Sequence, residues 1–115
     1  MNHPTIRTMA GAAAPSKIDA TVTALLVIDF QNEYFSGKMP IPDGMRALHN
    51  TQRLIAFADQ ENMPVFHIQH VFPAGAPVFA EDGLGVQFHS ELQPSSHHKV
   101  LQKSSVSVFP TTDLD

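Results

Sequence analysis

Cysteine is absent from these 115 residues, and that one gap removes a disulfide framework and every thiolate metal site. Positive charge is scarce too. Four Lys and three Arg are scattered along a chain of net charge −4, which leaves no basic stripe for nucleic acid or an anionic membrane. Long apolar runs are also missing. The longest, Ala24 to Ile28, is far too short to span a bilayer, and MNHPTIRTMAGAAAPSK lacks the continuous apolar core of a secretory signal. These absences lead to the expectation of an acidic cytoplasmic protein with no nucleic-acid and no membrane partner.

The residues that are present fit one small core, with 43% hydrophobic content. Residues 1–20 show no periodic pattern and read as an N-terminal extension; the domain proper is expected over 21–115. Thr21 to Phe30 is continuously apolar and β-branched, as in a central parallel strand covered on both faces. A Gly/Pro loop follows, and then a helix is expected over about 44–61, with Asp43 as its N-cap. Leu48, Thr51, Leu54, Ile55 and Ala58 make its packing face, and Asn62 and Pro64 stop it.

Residues 65–71, VFHIQHV, read as a second strand, so strand, helix and strand form a βαβ unit. Residues 72–98 form a long loop of the kind that often builds a site, and 98–103 a short third strand. A further helix is expected to begin near Thr111 or Thr112. One clear helix cannot cover both faces of a parallel sheet. The fold class expected is therefore α/β, the truncated N-terminal part of a larger domain built on a parallel sheet.

Ligands of open parallel sheets bind beyond the carboxyl ends of the strands. The first strand delivers Asp29 there, the second Gln69 and His70, and the third Lys103. Alone, Asp29 reads as a turn aspartate and Lys103 as a solvated lysine. Their arrival at one edge is what favours a site.

VIDFQNEYF, then PVFHIQHV, FHSELQP and VLQKSSVSVFPTTDL, resemble the isochorismatase-like cysteine hydrolases from about Ala24 onward. D-F-Q-N and K-x-x-x-S-x-F are specific when they occur together. The resemblance implies a partial, truncated, doubly wound Rossmann-like parallel sheet carrying an Asp–Lys–Cys triad that cleaves a C–N amide or related bond of a small-molecule substrate. Asp29 would move the proton, and Lys103 would favour the thiolate and the developing negative charge. Gln31 and Asn32 would fix the loop. Substrate contact falls to Gln31, Phe35, His70 and Phe88, with Phe30 and Tyr34 completing an apolar wall and Phe79 and His89 as further candidates. No cofactor is implied, and a homo-oligomer is admitted. The family's cysteine lies beyond the residues given, so this chain is expected to be inert alone. The competing reading is a truncated, non-catalytic module that binds a ligand or a partner.

Seven histidines raise the question of a metal. In a strand, His67 and His70 point to opposite faces, and His97-His98 could hold an ion only with remote help. Nicotinamidase relatives carry an aspartate and a histidine as metal ligands after the second strand; here His70 and Phe72 stand at about those places. The expectation is no metal site.

Overall fold

The computed structural model describes residues 4–13 and 17–115. The expected extension over 1–20 thus lies partly outside the described residues, at 1–3 and 14–16. Its described part holds one helical turn, α1 (Ile6–Met9), closed by a reciprocal capping box between Thr5 and Thr8.

The apolar run forms strand β1 over Leu25–Ile28, shorter than the 21–30 expected. Asp19 accounts for the difference at the front end. Its carboxylate accepts from the backbone N–H and hydroxyl of Thr21, which winds Ala20–Val22 into a 3₁₀ turn. At the far end, Asp29 takes a left-handed backbone, φ 66°, and the strand stops.

Helix α2 (Gly44–Gln60) carries the chain back to β2 (Val65–His70), and β3 is Lys99–Lys103. Both strand pairings are parallel, in the order β1-β2-β3. Asp43 does occupy the N-cap position of α2. Its backbone is left-handed, however, and its side chain makes no capping bond, reaching only an exposed Arg46 at 3.9 Å. Asn62, also at positive φ, ends α2 as expected, with Met63 N–H donating to Ala58 O at 2.8 Å.

Register partners in a parallel sheet share a face. Leu25, Val27, Val65 and His67 therefore face α2, where Val27, Val65, Leu48, Ala58, Met63 and Leu92 form the core. Each buried aliphatic there contributes roughly 1.5–3 kcal/mol. On the other face Leu26 and Ile28 remain 37% and 43% exposed.

Residues 72–98 are ordered by short bridges, Gln31 with Phe88 and Phe72 with Ala80. The helix expected near Thr111 does not form among the described residues. Thr111 accepts instead from Ser104 N–H, and Thr112 donates to Val108 O, so both hydroxyls close turns.

Candidate active site

The strand ends bring Asp29 and Lys103 together, with Asp29 Oδ2 3.3 Å from Lys103 Nζ. Each has a local reason to be there. Asp29 leaves the ladder directly after its N–H donates to Ile68 O at 3.0 Å, so the carboxylate stands at the strand's end. Lys103 is the last residue of β3, paired across from His70, and its ammonium also donates to Val106 O at 2.7 Å. Its side chain is only 4% exposed, so this is an ion pair with little water around the cation. Asp29 Oδ1 is buried with no hydrogen-bond partner among the described residues. A backbone held at positive φ in a non-glycine residue costs on the order of 1–3 kcal/mol, and such strain gathers at functional sites.

An apolar cavity of about 290 Å³ opens beside Asp29, lined by Ile28, Phe30, Tyr34, Phe35 and Ile41. Gly44 at the start of α2 permits this, since a β-carbon there would press on the Phe35 ring. Burial, and then the Asp29 charge, push the Tyr34 phenol above its ordinary range, so it stays a neutral hydroxyl. The edge of His89 closes against Phe35, with ring centroids 4.6 Å apart.

His70 lies next to the ion pair. Burial, and then the charge of Lys103, push its imidazole below the ordinary value against a smaller opposing pull from Asp29. It is therefore neutral at pH 7. Its ring stacks on Phe79 at 5.1 Å and meets Phe72 edge-on at 4.5 Å, while Nε2 is buried without a partner among the described residues.

Two expected substrate contacts are corrected by the geometry. Gln31 is 0% exposed. Its Nε2 donates to His70 O and Val86 O, and its Oε1 accepts from His70 N–H, each at 2.8 Å. The side chain thus replaces the ladder bonds that β1 gives up when the chain turns at Asp29, and no surface is left for a ligand. Phe88 packs edge-on against His67 at 5.7 Å and does not line the cavity. Of the six expected residues, Asp29, Lys103, Phe35 and His70 cluster at the site, and Gln31 and Phe88 hold the loop that frames it.

Sequence reasoning missed Glu33. This buried carboxylate accepts from Lys38 N–H at 2.8 Å and Phe79 N–H at 3.0 Å, and those two bonds hold it below the usual carboxylate range. It thereby fixes Phe79, whose ring backs His70. A β-carbon on Gly85 would overlap the Glu33 carboxylate, and one on Gly37 would meet its backbone. These glycines, far apart in sequence, were the available signal. Away from the strand ends, Asp59 lies beside His97 and His98, with one carboxylate oxygen and two ring nitrogens within 4.8 Å of one another.

The isochorismatase domain profile matches residues 23–115. The chain is 37% identical over 95 residues to the uncharacterized isochorismatase family protein YddQ of Bacillus subtilis (strain 168), covering 81% of this chain and 53% of that one. It is 33% identical over 93 residues to a streptothricin hydrolase of Streptomyces noursei, covering 81% and 33% respectively. The structure resembles the crystal structure of an isochorismatase from Pseudomonas putida KT2440, with a TM-score of 0.83 and 27% identity, over 98% of this chain and 57% of that one. The chain thus spans about half the length of the first of these relatives. Its parallel sheet, its matched profile and these likenesses agree: the chain belongs to the isochorismatase family.

Proposed function

We propose that these residues supply the aspartate–lysine part of a cysteine-dependent hydrolase that cleaves an amide or related C–N bond of a small molecule. The observation that carries this reading is the Asp29–Lys103 pair at the sheet edge, 3.3 Å apart, beside an apolar cavity that Asp29 lines. A relative is named a streptothricin hydrolase, which agrees with small-molecule hydrolysis.

In this mechanism the Asp29 carboxylate accepts the thiol proton, and the thiolate attacks the carbonyl carbon of the substrate. As the C–N bond breaks, Asp29 returns the proton to the leaving nitrogen. Water then hydrolyses the thioester. The Lys103 ammonium favours the thiolate and the negative charge that develops on the substrate oxygen. Neutral His70 offers a ring nitrogen to a polar group of the substrate, and Phe35 and Tyr34 wall its apolar part. The residues given contain no cysteine, so they cannot carry the covalent step.

The 115-residue chain is expected to hydrolyse no amide, and turnover that vanishes in Lys103→Ala would contradict that. In the product of the reading frame that contains these residues, Asp29→Asn and Lys103→Ala should each lower amidase kcat/KM by about 10²–10⁴. Unchanged kcat/KM in either variant would sink the role assigned to it.

A further inference from the structure

At the opposite edge of the sheet a second cluster lies outside the chemistry above. Asp59 is in the last turn of α2, and His97 and His98 lead into β3. One carboxylate oxygen and two imidazole nitrogens come within 4.8 Å of one another. His98 Nε2 is 2.8 Å and His97 Nε2 2.9 Å from Asp59 Oδ1. We infer that Asp59, His97 and His98 form a binding site for a divalent transition-metal ion of the zinc type, with water completing the coordination.

The donor set suits such an ion. Two imidazoles and one carboxylate are borderline ligands that favour zinc and cobalt over calcium or magnesium, which take all-oxygen shells. Metal–ligand bonds of about 2.0–2.1 Å hold tetrahedral donor atoms about 3.3 Å apart. The present separations need to widen by roughly half an ångström once the shared protons leave. Asp59 and His97 can make that movement because both side chains reach solvent, at 31% and 65% exposure.

His98 is the fixed ligand, buried and held by an outer partner. Its Nδ1 accepts from Ser95 N–H at 3.1 Å and lies 3.1 Å from His67 Nε2. With Nδ1 an acceptor, His98 carries its proton on Nε2 and gives it to Asp59. Metal on Nε2 moves that proton to Nδ1, aimed at His67. His67 answers by shifting its own proton to Nδ1, which is buried and has no partner among the described residues. Ser95 N–H must give up its bond to His98 Nδ1 in that state, and the exposed position of Ser95 lets water replace it. The His67–His98 contact thus becomes the imidazole-to-acceptor bond that metal-ligating histidines characteristically make. The ion would clamp the end of α2 to the lead-in of β3, a structural role away from Asp29 and Lys103.

Titration of the 115-residue chain with Co²⁺, followed by visible absorption, and competition with Zn²⁺ test this. One equivalent of Co²⁺ should give the intense bands of a four- or five-coordinate ion, displaced by one equivalent of Zn²⁺. His97→Ala, at an exposed position, should weaken binding at least tenfold, and Asp59→Asn likewise. His49→Ala, which alters an exposed histidine 3.9 Å from Glu91, should leave binding unchanged. Failure to bind Co²⁺ in stoichiometric amount, or equal binding by wild type and His97→Ala, would overturn the assignment.

Discussion

Asp29 is where three constraints meet: the last ladder bond of β1, a left-handed backbone, and an ammonium 3.3 Å away. An aspartate tolerates positive φ better than most residues, so the position selects for a short polar side chain even before chemistry is considered. Gln31 is as tightly specified, for a different reason. Gln31→Leu keeps the volume but leaves His70 N–H and two carbonyls without their partner in the interior, and is expected to cost about 1–3 kcal/mol of stability. Urea denaturation of the two chains checks this, and equal midpoints would contradict it.

His67 sets a pH dependence at this same scale. Burial, and then the neighbouring His98, push its imidazole down to about 4. An unfolded histidine titrates near 6.5, so below that pH the unfolded state binds a proton that the folded state refuses. Stability from this residue is fully present above about pH 6.5 and falls as pH drops toward 4, by up to about 1.4 kcal/mol per pH unit. His67→Phe should flatten that segment of the stability–pH curve. An unchanged slope would show that His67 is not its source.

Among the elements, the connection between β1 and α2 does more than join them. Glu33, on that connection, reaches across to residues 77–85 and holds Phe79 against His70. Gly85→Ala puts a methyl group into the Glu33 carboxylate and is expected to destabilise the chain by about 1–3 kcal/mol through overpacking. A melting temperature equal to wild type would show that the loop shifts without cost. Because the Glu33 carboxyl is held below its ordinary value, its contribution is present above about pH 4.5 and lost as pH falls below that.

The elements differ in how legible they were. The βαβ unit could be read because a continuous apolar run and a 3.6-residue period are local signals, and the strand-end rule together with the resemblance located Asp29 and Lys103. Glu33 could not be read, because its partners Lys38 and Phe79 are backbone N–H groups that any residue type carries. Nor could the Asp59 cluster, whose members lie 38 and 39 residues apart and meet only once β3 is in register. Gln31 and Phe88, expected to touch substrate, turn inward instead. Which way their side chains turn depends on the bridge between them, which no local pattern announces.

At the scale of the molecule, α2 covers one face of the sheet, and Leu26 and Ile28 on the other face stay partly open to solvent. Apolar surface of this kind associates. The 115-residue chain is expected to bind a hydrophobic dye and to enlarge with concentration on sizing, and Leu26→Thr with Ile28→Thr should diminish both. Identical profiles for the two chains would assign association elsewhere.

The carboxyl-end edge of the sheet holds the Asp29–Lys103 pair and its cavity, and the opposite edge holds the Asp59, His97 and His98 cluster. In the proposed mechanism Asp29 and Lys103 act as one unit on the substrate. The most direct test is a double-mutant cycle on amidase kcat/KM, in the product of the reading frame that contains these residues. Groups acting as a unit lose no more together than one loses alone, so Asp29→Asn with Lys103→Ala should be about as inactive as either single variant. Losses that multiply, leaving the double variant lower by the product of the two, would show that the two residues act independently.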